Sequence, residues 1–260
     1  MQEKVEFKNR KGQKIVAAIT KPENPKGLAF TMHGLSGFKE QPYLVTLTSS
    51  LVDNGYIVVN FDATNSFGES EGEYEKVTMQ LHYEDLVDVI DFIKTQEWYI
   101  EPFLLVGHSL GGYAVVQYAE DHPTEVKAVF SYAAVVAGEL FHKEKEVFET
   151  EKYKIWKETG WDERKSISRP GLIRRLPWSF MEETLKHDLR SNVSKLTMPV
   201  IMVAGDQDKM YLSGNQKSFF DLIPGPKEMH VIKGAAHTFS EPGHIVQLKN
   251  IMDKWLKKIN

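Results

Sequence analysis

The chain contains no cysteine. Disulfides, thiolate metal sites and cysteine nucleophiles are therefore excluded. It has no apolar run long enough to span a membrane. The first ten residues, Met1 to Arg10, alternate and carry charge, without the apolar stretch of a signal peptide. The expectation is a cytoplasmic protein. Basic excess is missing too: the net charge of −4 offers no footprint for nucleic acid. The nine histidines show no His-x-x-x-His pair and no helix spacing of paired carboxylates, so no metal is expected. There is no Gly-x-Gly-x-x-Gly after the first strand and no glycine–lysine phosphate loop, which argues against a nucleotide; no cofactor is expected. Repeats and low-complexity segments are absent.

What is present is a rhythm of strands and helices over 260 residues, enough for one α/β domain with a large core. Val5–Phe7 and Ile15–Thr20 predict a hairpin turning at Lys11-Gly12. Apolar strands follow at Leu28–Met32, Ile57–Phe61, Leu104–Val106, Val126–Ala134, Pro199–Ala204 and Met229–Ile232. Helical periodicity marks Tyr43–Asn54, Leu81–Lys94 and His244–Lys258. Continuously apolar strands alternating with helices predict a mainly parallel sheet covered on both faces.

Residues 103–113 carry the strongest chemical signal. An apolar strand enters Gly107-His108-Ser109-Leu110-Gly111, and a helix-like stretch from Tyr113 follows at once. That is the context of a nucleophile elbow, in which a sharp turn lifts the serine hydroxyl above the sheet edge. Side chains at 107 or 111 would collide with the neighbouring helix and strand. The Leu110 N–H, at a helix N-terminus, becomes a candidate oxyanion donor. The pentapeptide alone also fits a glycine-rich turn with a capping serine, so its context decides.

Three constellations supply that context. The strand Leu28–Met32 ends in His33-Gly34-Leu35, which offers the Leu35 N–H as a second oxyanion donor and gives His33 a structural role. The strand Pro199–Ala204 ends in Gly205-Asp206-Gln207-Asp208. Asp208, deeper in the loop, is preferred as the acid that orients an imidazole; Asp206 then forms the turn. After the last strand, small residues precede His237, the candidate base. The chain order Ser109, Asp208, His237 is the one expected on this type of sheet. His108 is expected to point into the fold, His230 lies in a strand, and His244 opens the last helix.

One segment breaks the rhythm. From Ala137 to Val193 no core strand is evident, and Phe141–Trp161 reads as a helix dense in charge. The run Lys143-Glu144-Lys145-Glu146 reads as a solvated helix face. A short helix is expected near Phe180–Leu189. The expectation is a small helical cap, 137–193, inserted into a core of 1–136 and 194–260. Its aromatics, Trp178 and Phe180 above all, are candidates for the substrate pocket, against the commoner role of packing the cap onto the core.

With these motifs in order, the chain strongly resembles the α/β-hydrolase superfamily over nearly its whole length. It looks most like small-capped serine hydrolases, among them bacterial feruloyl and cinnamoyl esterases and monoacylglycerol-lipase-like enzymes. The stretch Phe61–Ser70 resembles that group's Asp…Gly-x-Ser loop, with one extra residue and without its first glycine. The resemblance implies an eight-stranded, mainly parallel sheet and a serine esterase. Ser109 would attack a carboxylic ester of a small molecule, His237 take its proton, Asp208 orient the ring, and Leu35 and Leu110 hold the oxyanion. Other readings are an amidase or aminopeptidase using the same triad, with Glu139, Glu144 or Glu146 holding a substrate amine, and a non-catalytic receptor on this scaffold. A homodimer is left open.

Overall fold

Residues 2–166 and 169–259 are described by a computed structural model. The hairpin β1 (Gln2–Lys8) and β2 (Lys14–Thr20) pairs antiparallel. β3 (Gly27–Met32), α1 (Pro42–Asp53), β4 (Tyr56–Asp62), α2 (Met79–Lys94), β5 (Phe103–His108), α3 (Leu110–Asp121) and β6 (Val126–Tyr132) follow. After an insert come β9 (Val200–Gly205), α7 (Lys209–Leu212), α8 (Asn215–Leu222), β10 (Lys227–Ile232) and α9 (Pro242–Ile259). The sheet has eight strands in the order β1-β2-β4-β3-β5-β6-β9-β10. β2 runs against both its neighbours, and the remaining pairings are parallel. This is an α/β-hydrolase fold.

The strands alternate between two cores, as a pleated strand buried on both faces must. Phe30, Val59 and Leu105 face the core formed with α2 and α3. Ala29, Val58 and Leu104 face the core formed with α1 and α9. α2 begins two residues before the apolar stripe suggests, because the Thr78 side chain accepts from the Leu81 N–H at 3.0 Å and caps it. α7 and α8 are not predicted by the sequence reading; they are short, at four and eight residues, too few turns to show a helical stripe.

The insert between β6 and β9 departs from a wholly helical cap. Its helical stretch breaks at Glu149 (φ −134°, ψ 34°) into α4 (Gly138–Phe148) and α5 (Thr150–Thr159). Trp161 lies in a strand: β7 (Trp161–Lys165) pairs antiparallel with β8 (Ile173–Pro177). Strands reading Trp-Asp-Glu-Arg-Lys and Ile-Arg-Arg-Leu-Pro have no apolar alternation to announce them. The backbone ladder pairs them and Leu176 anchors them beside Trp156, while Arg175 lies 2.6 Å from Glu163 and over the Trp161 ring. α6 (Trp178–Thr184) is the short helix expected near Phe180, although it stops before Leu189.

Candidate active site

β3, β5, β9 and β10 all deliver loops to the C-terminal edge of the sheet, where such sheets bind ligands. β5 lies between β3 and β6, so Ser109 emerges near the sheet centre. Its backbone sits at φ 54°, ψ −111°, a region that side-chain-bearing residues rarely adopt. The turn is this tight because its flanks are glycines. A Cβ on Gly107 would stand 2.3 Å from the Gly111 carbonyl oxygen in α3. One on Gly111 would stand 2.4 Å from the His33 carbonyl oxygen at the end of β3.

The loops after β9 and β10 are locked together by their backbones. Gln207 N–H donates to the Ala235 carbonyl at 3.0 Å, and a Cβ on Gly205 would lie 2.1 Å from that same oxygen. Asp206 accepts from the Gly234 N–H at 2.7 Å, so this aspartate fastens the two loops. Asp208 instead meets the histidine: its Oδ2 is 3.0 Å from His237 Nδ1, and its Oδ1 accepts from the Met210 N–H at 3.1 Å. His237 Nε2 is 2.8 Å from Ser109 Oγ. Burial opposes the charge on Asp208, but the hydrogen bond and charge of His237 outweigh it and hold the carboxyl below its ordinary range. An ionised Asp208 accepts from the His237 Nδ1–H, and the tautomer this favours leaves Nε2 facing the serine as acceptor.

The other histidines support rather than react. His33 is fully buried; its Nδ1–H donates to the Gly34 carbonyl, and Nε2 accepts from the Ala63 N–H. His108 points inward, and its Nε2–H donates to the His237 carbonyl at 2.9 Å. Burial first, then the nearby His237, push its pKa down to about 3, so it stays neutral.

A cavity of about 380 Å³ opens on Ser109 and His237. Leu35 and Leu110 line it, and among the described residues the N–H of each has no hydrogen-bond acceptor. Phe180 lines it as well, with Phe141 and Trp156 from the insert. Trp178 does not. Its ring packs edge-on against Trp156, 5.7 Å away, and against Tyr153, so it stands behind the cavity wall. The reason is helical geometry: Trp178 and Phe180, two apart on one helix, cannot share a face.

Sequence reasoning misjudged Glu144. It is 4 % exposed and lines the cavity rather than a solvated face, whereas Lys143 and Glu146 beside it are exposed. Burial pushes its carboxyl up to about 7. The signal was there: Glu144 falls three and four residues after Phe141 and Leu140, on the inward stripe of α4. Arg164, Arg174, Lys145 and Lys209 also reach the cavity, which no local pattern announced.

Glu40, Asp62 and Glu69 bring their carboxylates close enough to share a cation. The cation is already there: Lys39 Nζ lies 2.6–2.7 Å from all three. This cluster shapes the Phe61–Ser70 loop, with Asp62 also accepting from the Lys39 and Glu69 N–H groups.

A model of the family described as "Serine aminopeptidase, S33" matches residues 23–242. The chain belongs to that family. As an α/β-hydrolase it is similar to the palmitoyl-protein thioesterase ABHD10 of mouse mitochondria, 26 % identical over 79 % of this chain and 67 % of that one. It is also similar to a 31.7 kDa protein of Escherichia coli, 24 % identical over 89 % of this chain and 90 % of the relative. Among solved structures, Est1E from Butyrivibrio proteoclasticus, with ferulic acid bound, superposes with a TM-score of 0.79 at 20 % identity, covering 98 % of each chain. Mouse alpha/beta hydrolase domain-containing protein 10 superposes at 0.78 with 21 % identity, covering 99 % of this chain and 100 % of that one. At such identities the superpositions speak for the fold. The α/β-hydrolase resembles feruloyl esterases in architecture, and it is a hydrolase. None of its helices, among the described residues, is long and apolar enough to cross a membrane.

Proposed function

We propose that the protein hydrolyses carboxylic esters of small molecules through an acyl-enzyme on Ser109. The observation that carries this reading is the unbroken relay from Ser109 Oγ through His237 to Asp208, at 2.8 and 3.0 Å. In this mechanism His237 Nε2 takes the serine proton as Oγ attacks the ester carbonyl. The carbonyl electrons move to oxygen, which the N–H groups of Leu35 and Leu110 receive. Asp208 keeps the ring in the needed tautomer and stabilises the imidazolium. Collapse expels the alcohol, protonated by His237. The same nitrogen then deprotonates water, which releases the acid and restores the serine.

Residues 137–193 act in this reading as a cap that shapes the pocket, through Phe180 but not Trp178, over a core of 1–136 and 194–260. The same attack serves a thioester, the bond named for the mouse relative. An aminopeptidase reading rests on Glu144, the one of the three proposed acids that lines the cavity. Against it, a carboxyl pushed up to about 7 by burial is a weak partner for an ammonium, and four cations share the cavity. Turnover of a p-nitrophenyl ester beside an aminoacyl anilide separates the two. A fluorophosphonate should label Ser109 stoichiometrically; binding of esters without that adduct returns the receptor reading.

A further inference from the structure

The cavity combines an apolar wall with a polar end that the proposed hydrolysis does not use. Four cations reach it: Lys145, Arg164, Arg174 and Lys209. Besides Glu144 its carboxylates are Glu149, Asp162 and Asp208, and Asp208 is turned to His237. Glu149 takes up Lys145 at 3.0 Å, Arg164 at 2.8 Å and Lys209 at 3.3 Å. Asp162 takes up Arg164 at 2.7 Å. Two carboxylates thus answer three cations at 2.7–3.3 Å, and Arg174 is the one held only at a distance.

Arg174 is partly buried, with its side chain 29 % exposed. Its nearest carboxylate oxygen, on Asp162, is 4.0 Å away. Its one hydrogen bond among the described residues runs to the neutral Ser36 Oγ, at 3.2 Å. A guanidinium carries five donors in a planar fork suited to a carboxylate. A second donor is unmet in the lining of the same cavity: Trp156 is 2 % exposed, and its Nε1–H has no partner among the described residues. Both point to an acceptor brought by the ligand. Arg174 is also near the reacting centre, because Ser36 belongs to the loop whose Gly34 packs against Ser109.

We infer that the site selects esters bearing a free carboxylate, seated on Arg174 beside the Ser36 loop. This rests on the ester-hydrolase reading above. The apolar wall takes the methylene chain, and the guanidinium takes the terminal anion in a partly desolvated setting where such a bond is strong. Glu144, kept largely uncharged by its burial below neutral pH, does not oppose the anion there.

The test compares mono-p-nitrophenyl adipate with p-nitrophenyl hexanoate, which differ only in a terminal carboxylate against a methyl. The wild-type protein is expected to favour the adipate in kcat/KM by about tenfold or more, the scale of one charge-assisted hydrogen bond. Arg174→Met should bring that ratio near one, chiefly through KM for the adipate. Arg174→Lys, a point charge without the fork, should retain part of it. Because the readout is a ratio within one preparation, partial loss of folded protein does not alter it. A wild-type ratio at or below one, or the same ratio in Arg174→Met, overturns the inference while turnover of the hexanoate leaves the hydrolase reading standing. Turnover of neither ester, with no fluorophosphonate adduct on Ser109, overturns both.

Discussion

His108 donates its Nε2–H to the carbonyl oxygen of His237 across 2.9 Å. The residue before the proposed nucleophile thus holds the backbone of the loop that carries the proposed base. Replacing His108 with Phe keeps an aromatic ring and removes the donor. We expect kcat for a p-nitrophenyl ester to fall about tenfold to a hundredfold, as small misplacements of a catalytic group do. An unchanged kcat in a folded His108→Phe protein removes this residue from the positioning of His237.

Asp206 and Asp208 separate by what they touch. Asp208→Asn should lower kcat on the order of 10³- to 10⁴-fold by favouring the wrong imidazole tautomer. Asp206→Ala loses the bond to the Gly234 N–H and should cost about 1 kcal/mol of stability, with a much smaller effect on kcat. Steady-state kinetics and chemical denaturation of both variants check this, and reversed effects would exchange the two roles.

The strained backbone of Ser109 predicts opposed effects on stability and activity. Ser109→Gly removes the hydroxyl and relieves a side-chain-bearing residue at φ 54°. Ester turnover should be lost by at least about 10⁴-fold. Stability should rise by about 1 kcal/mol, which is roughly 2–4 °C in Tm for a chain of this size. Ser109→Ala loses the same activity without that gain. Calorimetry on the pair gives the answer; equal Tm values would mean that the turn stores no strain.

Glu120 lies on α3 beneath the insert, 2 % exposed, and its Oε1 has no partner among the described residues. Burial, with Asp121 adding to it, pushes its pKa up to about 9 from an ordinary 4.5. Between those values the native state holds a proton that the unfolded chain has released, so stability falls as pH rises from about 4.5 to about 9. Glu120→Gln removes that dependence. Its Tm should exceed that of the wild type by several degrees at pH 8 and by much less at pH 5. A gain that does not grow with pH would show that Glu120 is ionised in the folded protein.

The legible parts were those written in short-range pattern. The apolar, β-branched run Ile57–Phe61 marked a strand buried on both faces, and the β4 core positions agree with it. Gly107 and Gly111 marked a turn too tight for side chains, and the carbonyls that a Cβ would meet give the reason. The insert was harder to read. Trp161–Lys165 has no alternation because its side chains lie outside the buried clusters, and the hairpin's apolar anchor is Leu176 of β8, packed with Trp156 and Phe180. Glu144 was hidden in a run of charge whose other members are exposed, and only its position on α4 sends it inward.

By itself the sequence determined the order of the core strands, the helices α1, α2, α3 and α9 that flank them, the elbow at residues 107–111, and which loops at one edge of the sheet carry the serine, the two aspartates and the histidine. These follow from backbone sterics and from burial with period two or 3.6, which act within a few residues. The sequence preferred Asp208 to Asp206, but only the tertiary structure brings it to His237, sets Trp178 behind the wall, and carries Arg174 into the cavity with no carboxylate closer than 4.0 Å. Those outcomes depend on side chains from distant segments competing for the same few partners, and nothing local in the chain records who wins.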